Sequence, residues 1–325
     1  MAKTTEFLMT IHNPIASILE QVPAIVLDGA MGTELERRGA DLNDPLWSAK
    51  MLLDSPELIE QVHYDYFLAG ADVAVTASYQ SSLEGFARLG VKPSQAEALI
   101  ISSVELACRA RDRFWAAPKN REDRFIPLVA ASIGSYGAFL ADGSEFSGDY
   151  GLTLTQLTDF HRPRLELLAS SPADLIAFET IPSKLEGQAV VRLLEEFPQT
   201  AAWISFSCRN ESQVCHGEPF TECVAMADTC DQIVAVGLNC TAPRFVESLL
   251  QSGLGHTKKP LVAYPNSGEI WDSASHSWLS EPDAIRFGRA ARLWYESGAR
   301  LIGGCCRTTP EDIAAISDAL RPFPD

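Results

Sequence analysis

Three cysteines at the ends of predicted strands are the residues best suited to chemistry. Cys305 and Cys306 are adjacent in the stretch GGCCRTTP, and Cys240 ends the stretch GLNC. An adjacent pair of thiols could be a metal site, a disulfide or two buried side chains. Three thiolates that meet at one point are a ligand set that Zn²⁺ prefers, at Zn–S distances of about 2.3 Å. We expect Gly303 and Gly304 to let the backbone bend, because successive strand residues otherwise point to opposite faces.

Three thiolate ligands leave the fourth position of a tetrahedral zinc open, which is typical of a catalytic centre. Such a centre is a poor Lewis acid for hydrolysis, but it can bind an added thiol as a thiolate that stays nucleophilic. This chemistry indicates transfer of an alkyl group to a thiol. Two alternatives remain open: a zinc hydrolase, which usually has His and carboxylate ligands, and a non-catalytic barrel with a structural zinc.

Two acidic residues, Asp28 and Glu179, also fall at predicted strand ends. They could act as acid and base or bind an ammonium group. Alkyl transfer to a thiolate needs no base at carbon, so binding is the better role, and structural hydrogen bonding is the alternative. Thr76, Asn239 and Asn266 end further predicted strands, and we predict that they contribute to substrate binding. Closure of turns would explain the two asparagines equally well.

A second group of candidate ligands has no tight metal-binding spacing. Its members are Cys208, Cys215, His216, Cys223 and Cys230. We expect the last two cysteines to be buried on one face of a helix. The remaining histidines lie away from strand ends, and we expect them at the surface or in packing: His12, His63, His161, His256 and His276.

Eight apolar runs, each followed by a helical pattern, would position these residues. Near-continuous apolar runs are typical of parallel strands that are buried on both faces. The runs span residues 24–32, 72–79, 127–135, 174–182, 201–208, 232–240, 260–268 and 299–306. Amphipathic stretches with helix start and stop signals lie between them, as at 55–70, 281–298 and 309–320.

Eight strand–helix units predict an α/β fold, a single-domain (β/α)8 TIM barrel with its chemistry at the carboxyl ends of the strands. An open doubly wound sheet is the alternative, but DGAMGTELERRG after the first run is not its G-x-G-x-x-G fingerprint. We expect one domain over residues 1–325, with residues 1–13 as a flexible N-terminal extension. Residues 135–151 are rich in glycine and aromatics, which predicts a long loop that acts as a lid or binding loop.

Composition excludes several classes of protein. The chain has 43 acidic and 26 basic residues and a formal net charge of −17, with no basic run, so we expect no nucleic-acid partner. No run approaches the roughly 20 apolar residues that span a bilayer, so no membrane partner is expected. The N-terminus lacks the flanks of a signal peptide. We therefore expect a cytoplasmic protein whose eight cysteines are reduced.

Four stretches together resemble the homocysteine S-methyltransferase family: LDGAMGTELERRG, FETIPS, GLNCTAP and GGCCRTTP. They are spread over residues 23 to 321, and the pairing of GGCC with a distant NC is specific to zinc-dependent thiol methyltransferases. The resemblance implies a (β/α)8 barrel that holds one Zn²⁺ on Cys240, Cys305 and Cys306. It also implies that Asp28 and Glu179 bind the amino group of homocysteine.

The long loop at 135–151 is most similar to that of family members that use S-methylmethionine or S-adenosylmethionine. The resemblance thus implies a methyltransferase of methionine biosynthesis, which transfers a methyl group from a sulfonium donor to the thiol of L-homocysteine and forms methionine. A betaine-type homocysteine methyltransferase is an alternative. Tyr136 and Phe139 could face the cationic donor. No oligomeric state is predicted.

Overall fold

A computed structural model of the chain describes residues 11–42, 47–272, 277–279, 283 and 285–321. Most of the predicted N-terminal extension, residues 1–10, lies outside the described residues. Ile11 packs against the barrel interior. Asn13 caps the first helix, since its Oδ1 accepts a hydrogen bond from the Ala16 N–H at 3.1 Å.

Eight parallel strands form the central sheet, and all eight predicted runs contain one of them. The strands are β1 (Ile25–Val26), β2 (Val73–Val75), β3 (Leu128–Gly134), β4 (Leu175–Ile181), β5 (Ala202–Phe206), β6 (Ile233–Asn239), β7 (Leu261–Tyr264) and β10 (Ala299–Ile302). Two further strands, β8 (Ile270–Asp272) and β9 (Ser277–Leu279), form an antiparallel pair that was not predicted.

The sheet closes on itself. Its strand order is β1-β10-β7-β6-β5-β4-β3-β2, and a parallel bridge from Leu27 to Val73 joins the first strand to the last. Two hydrogen bonds reinforce this seam, from the Asp28 N–H to the Val73 carbonyl and from the Asp72 N–H to the Val26 carbonyl. The predicted (β/α)8 barrel is therefore confirmed, and the open sheet is excluded.

The barrel is flanked by helices, most of which cover its outside. They are α1 (Pro14–Leu19), α2 (Met31–Arg37), α3 (Met51–Asp54), α4 (Pro56–Leu68), α5 (Leu83–Arg88), α6 (Pro93–Ala116), α7 (Tyr136–Leu140), α8 (Leu154–Ala169), α9 (Lys184–Leu194), α10 (Phe220–Asp228), α11 (Pro243–Gly253), α12 (Phe287–Glu296) and α13 (Pro310–Leu320). Short 3₁₀ turns span Trp47–Lys50, Pro118–Asn120 and Ser144–Phe146. Within the described ranges, no helix combines the length and apolar character needed to cross a bilayer.

The predicted helix signals differ in their accuracy. The stretches at 55–70 and 309–320 form α4 and α13, and Thr309 makes a capping box with Asp312. The stretch at 281–298 ends as predicted at Gly298, which has a φ of 107°. Its helix starts later than expected, at Phe287, because Arg286 has an extended backbone and serves as the N-cap.

Two apolar layers form the core. One lies between the strands and the outer helices, and the other fills the barrel interior around Trp203 and Leu301. Ile15 and Ile18 of α1 belong to the interior cluster, together with Leu128 at the start of β3. Burial of each large apolar side chain stabilises the fold by about 1.5–3 kcal/mol. Since α1 covers the amino end of the barrel, the carboxyl end is left for a functional site.

The segment at 135–151 is not a simple loop, which corrects the prediction. Ser135 caps α7 by accepting a hydrogen bond from the Ala138 N–H at 3.3 Å. Left-handed backbone at Ala141 (φ 57°) and Gly143 (φ 89°) then turns the chain into a 3₁₀ turn. The short apolar pattern after Ser135 was too brief to separate a helix of this length from an irregular loop.

Candidate active site

A cavity of about 340 Å³ lies at the carboxyl end of the barrel. Its polar lining residues are Asp28, Thr33, Glu36, Asp41, Ser48, Thr76, Tyr79, Gln80, Glu145, Glu179, Thr180, Cys240, Tyr264, Cys305 and Cys306. Six of the eight predicted site residues are in this set. None of the described lining residues is a Lys, Arg or His, so the cavity is strongly anionic.

The three predicted thiols converge. The Sγ atoms of Cys240 and Cys306 are 3.6 Å apart, those of Cys305 and Cys306 are 4.0 Å apart, and all three lie within 4.8 Å of one another. A tetrahedral zinc with Zn–S bonds of about 2.3 Å requires sulfur–sulfur separations of about 3.8 Å. The donor set and its spacing therefore fit a metal ion. All three cysteines are free, which excludes the disulfide alternative in this structure.

Close packing, not bending, explains the two glycines before Cys305, and this corrects our expectation. Neither has a positive φ. A Cβ on Gly304 would lie 2.4 Å from Thr308 Oγ1, and one on Gly303 would lie 2.6 Å from Leu27 Cβ. Only glycine lets β10 approach β1 and the following turn so closely that Cys305 reaches the cavity.

Backbone strain surrounds the thiols. Thr180, Cys240 and Arg307 have positive φ values of 57°, 45° and 70°. Such conformations are uncommon for residues other than glycine and cost on the order of 1–3 kcal/mol each. Cys240 immediately follows β6, so this conformation turns it out of the strand alternation. Its N–H donates to the Tyr264 carbonyl at 3.1 Å, which holds the turned residue against β7.

Asn239 does not reach the cavity, although we predicted a substrate contact. Its Oδ1 accepts hydrogen bonds from the Thr180 N–H at 2.7 Å and from Ser205 Oγ at 2.9 Å. Its Nδ2 donates to Thr180 Oγ1 at 2.8 Å and lies 3.9 Å from Cys305 Sγ. The amide thus supports the strained backbone at the end of β4 and orients one thiol.

Asn266 and Thr76, which were predicted with Asn239 to contribute to substrate binding, also make structural hydrogen bonds. Asn266 lies outside the lining residues, and its Oδ1 accepts from the Gly268 N–H at 2.9 Å, which closes a turn. Thr76 does line the cavity. Its hydroxyl oxygen accepts from the Ser132 N–H at 3.0 Å and lies 2.7 Å from Ser78 Oγ, so its hydrogen-bonding capacity is largely used by the protein.

Asp28 and Glu179 bring two carboxylates to the cavity, where they are 4% and 7% exposed. The Asp28 Oδ2 accepts from the Val75 N–H at 2.9 Å, and Glu179 accepts from the Ser132 hydroxyl. Burial raises the pKa of Asp28 well above its usual range, and repulsion from Glu179 adds to this effect. The pair would be relieved by a bound cation.

Burial also raises the pKa of Glu179, to about 7, with a further contribution from the negative charge of Cys305. Hydrogen bonds from Ser132 and Tyr264 oppose this shift. Since the Tyr264 hydroxyl also meets Ser205 Oγ at 2.6 Å and accepts from Trp203 Nε1 at 3.2 Å, it connects the carboxylate to the barrel interior. The tyrosine in the apolar run PLVAY was the available sequence signal for this residue, and we did not use it.

The aromatic residues predicted to face a cation do not line the cavity. Tyr136 and Phe139 instead pack against Phe160, with ring centroids 4.8 and 5.3 Å apart. The same segment does reach the cavity, through Ala141, Glu145 and Phe146. The segment therefore lines the cavity, as predicted, but through residues other than Tyr136 and Phe139. Glu145 was missed because the sequence does not show which side of a short turn faces inward.

The second cysteine group does not form a ligand cluster. Among the residues that the structure describes, only Cys240, Cys305 and Cys306 place three ligand atoms within metal-binding reach. Cys223 lies on α10 as predicted, but α10 ends at Asp228, so Cys230 lies beyond the helix. Both are buried.

The four described histidines of the predicted set follow expectation. His63 and His161 are fully buried in packing, whereas His12 and His256 are exposed. His276 lies outside the described residues. None of the described histidines lines the cavity, so the thiols of the three cysteines are its candidate metal ligands.

Comparison with known proteins identifies the family. Residues 25–320 match the family model for homocysteine S-methyltransferase. The chain belongs to the homocysteine S-methyltransferase family. It is 52% identical to homocysteine S-methyltransferase YbgG of Bacillus subtilis (strain 168), over 95% of this chain and 98% of the relative. It is 49% identical to selenocysteine Se-methyltransferase of Brassica oleracea var. italica, over 91% and 88% of the two chains.

A solved structure agrees with the fold. The metallated form of the homocysteine methyltransferase MmuM from Escherichia coli superposes with a TM-score of 0.84 at 44% identity, covering 94% of this chain and 99% of that one. The predicted resemblance and the predicted methyltransferase class are therefore confirmed. The family reaction is methyl transfer to homocysteine, and the thiol cluster of this member could bind a metal.

Proposed function

We propose that this family member uses one Zn²⁺, held by Cys240, Cys305 and Cys306, to transfer a methyl group from S-methylmethionine to L-homocysteine. The observation that supports the proposal best is a single cavity that combines three converging thiols with two buried carboxylates. The thiols suit a zinc ion with an open position, and the carboxylates suit an amino-acid ammonium group. Homocysteine carries both a free thiol, which accepts the methyl group, and an ammonium group.

Zn²⁺, when bound, would lower the pKa of the acceptor thiol so that the thiolate predominates at neutral pH. The protein supplies position. Asp28 and Glu179 bind the acceptor ammonium, and Asn239 holds Cys305 and the end of β4 in place. The acceptor sulfur then bonds to the methyl carbon while the donor S–CH₃ bond breaks, and its electron pair stays on the donor sulfur. Since the donor leaves as a neutral thioether, no acid is required.

The cavity also favours a small cationic donor. Its described lining carries five carboxylates and no basic side chain, which would repel an anionic methylfolate. Its volume of about 340 Å³ is near the lower end of the range of ligand pockets, about 300–1,000 Å³. Two small amino acids suit this volume better than homocysteine together with an adenosyl sulfonium. Betaine is also small and carries a quaternary ammonium group, so it remains the competing donor.

We also propose a cytoplasmic location, since a zinc site of three thiolates requires reduced cysteines and such thiols persist in a reducing compartment.

A donor panel tests the reaction. Purified enzyme is given L-homocysteine with S-methylmethionine, S-adenosylmethionine, betaine or methylfolate, and methionine is quantified. We expect the highest kcat/KM with S-methylmethionine. If betaine exceeds S-methylmethionine, the donor assignment is wrong, although the zinc site could still stand.

Metal analysis tests the site. We expect about one zinc per chain, and Cys306→Ala should lose both zinc and activity. Cys223→Ala, which removes a buried thiol from α10 outside the cavity, is the matched control and should keep both. Full turnover by zinc-free Cys306→Ala would contradict the proposal. X-ray absorption adds a direct readout, because a fourth sulfur should join the metal only when homocysteine is present.

A further inference from the structure

The wall of the cavity that faces the thiols comes from the segment between β3 and α8. In the strand order of the barrel, β3 lies four positions from β7, directly across the ring. Cys240 follows β6 and the Cys305–Cys306 pair follows β10, and these strands are the two neighbours of β7. The segment after β3 therefore approaches the cavity from the side opposite the metal ligands.

Contacts with the neighbouring loops fix Glu145 in this segment. Ser207 Oγ, after β5, donates to the Glu145 carbonyl at 3.1 Å, and Gln80 Nε2, after β2, donates to the Ala138 carbonyl at 3.0 Å. A Cβ on Gly137 would lie 2.2 Å from the Glu145 nitrogen, so α7 and the 3₁₀ turn touch backbone to backbone. Glu145 is thus held by the structure and does not project from a loose loop.

One oxygen of the Glu145 carboxylate lacks a partner, although the backbone N–H groups of Gly143 and Glu145 donate hydrogen bonds to the carboxylate. It lines the cavity, and its Oε2 is buried without a hydrogen-bond donor among the described residues. Burial raises the pKa of Glu145 to about 7, and the charge of Asp142 adds to this effect. A buried carboxylate oxygen without a donor is costly, which points to a ligand group that supplies an N–H.

Tyr79 shows that Glu145 and the thiols share one space. Burial raises the pKa of the Tyr79 phenol well above its usual value, and the negative charges of Glu145, Cys240 and Glu179 all add to it. One phenol therefore lies within electrostatic reach of both walls. A small molecule that contacts Glu145 at one end could present its other end toward the thiol side.

Given the proposed function, we propose that Glu145 binds the α-ammonium group of the sulfonium donor S-methylmethionine. The acceptor ammonium is already assigned to Asp28 and Glu179 on the β1 and β4 side. The donor is a second amino acid with an ammonium group of its own. Its sulfonium centre cannot donate a hydrogen bond, whereas the ammonium can donate three, so the ammonium is the group that satisfies Glu145 Oε2. Glu145 thereby selects amino-acid sulfonium donors and makes no covalent bond itself.

The assignment is tested by removing the carboxylate of Glu145 from the enzyme and, separately, the amino group from the donor. Glu145→Gln and unmodified enzyme are compared with two donors: S-methylmethionine, and 4-(dimethylsulfonio)butanoate, which is the same sulfonium acid without its amino group. Loss of a charge-assisted hydrogen bond should lower kcat/KM for S-methylmethionine by about ten- to a hundredfold. The des-amino donor should be used equally well, within about twofold, by both proteins. Asp149→Asn, an exposed acid of the same segment outside the cavity lining, is the matched control.

Zinc content and homocysteine affinity should be unchanged in Glu145→Gln, which separates donor binding from a general loosening of the segment. Equal losses with both donors, or no loss with S-methylmethionine, would overturn the assignment while the proposed function stands. If unmodified enzyme does not use S-methylmethionine, the proposed function fails and this assignment fails with it.

Discussion

The pH dependence of amino-acid binding should report directly on Glu179. Its pKa is raised to about 7, chiefly by burial. An ammonium group binds best to the ionised carboxylate, so at lower pH binding must first remove a proton. This costs about 1.4 kcal/mol per pH unit below the pKa. Ionised fractions of about 0.9 at pH 8 and 0.1 at pH 6 then give affinity about tenfold weaker at pH 6.

L-methionine is a suitable ligand, because it has the amino-acid group of homocysteine but no thiol to titrate. Isothermal titration calorimetry from pH 6 to pH 8 should show the tenfold change in the unmodified enzyme. Glu179→Gln removes this titrating group, so its affinity should vary less with pH and should be close to or below the pH 6 value of the unmodified enzyme. Asp28→Asn tests how much of the slope belongs to the neighbouring carboxylate, whose pKa is also raised.

Glu34→Gln provides the matched control, since Glu34 is 4% exposed but pairs with Arg37 at 2.6 Å and does not line the cavity. It should keep the full pH dependence. The same slope in Glu179→Gln as in the unmodified enzyme would refute the assignment of this carboxylate to ammonium binding. A loss of affinity that is equal at all pH values would indicate a steric effect and would refute the electrostatic reasoning.

Two further predictions concern the scaffold of the site, and a third concerns the stability of the fold. Asn239→Leu should weaken zinc affinity by about ten- to a hundredfold, because it removes the amide near Cys305 Sγ and leaves the Thr180 N–H unpaired. Competition with a chelating dye measures the zinc affinity. An unchanged affinity would exclude a positioning role for Asn239. Gly304→Ala should reduce bound zinc, since its Cβ would meet Thr308 Oγ1 at 2.4 Å, whereas Gly255→Ala has open space and should have no effect. His63 is buried, its ring nitrogens have no partner among the described residues, and burial lowers its pKa to about 3, so the unfolded chain binds the extra proton between pH 3 and 6.5. The folded protein should therefore be less stable at pH 5 than at neutral pH by about 2 kcal/mol. Denaturant unfolding of His63→Leu should show a pH dependence of the unfolding free energy that lacks this contribution.

The barrel and most of the lining were predictable from apolar patterning. A run such as PLVAASIGS is typical of a strand buried on both faces, and eight such runs with helices between them leave few alternatives. Parallel strands in a ring bring all their carboxyl ends to one rim. For this reason Asp28, Glu179 and Cys240, each at the end of a run, could be assigned to the same cavity although they are far apart in sequence.

The direction of individual side chains was not predictable from the same pattern. Asn239 and Cys240 are neighbours, yet only Cys240 lines the cavity, because its positive φ turns it out of the strand alternation. Local sequence preference opposes this conformation for cysteine, and it is held by tertiary hydrogen bonds. The same limit applies to residues 136–146, where contacts with loops after β2 and β5 decide that Glu145, and not Phe139, faces inward.

The site concentrates negative charge that the fold alone does not neutralise. Burial raises the pKa values of Asp28, Glu179 and Glu145, and the described lining has no basic side chain to offset them. Strained backbone at Cys240 and Thr180 adds to the cost. In the proposed function, a metal ion and ammonium-bearing ligands would relieve both the repulsion and the unpaired acceptors, so the binding energy of each should appear as added stability of the folded enzyme. We therefore propose that the carboxylates whose burial is costly are the same groups that select ammonium and sulfonium ligands over neutral or anionic ones.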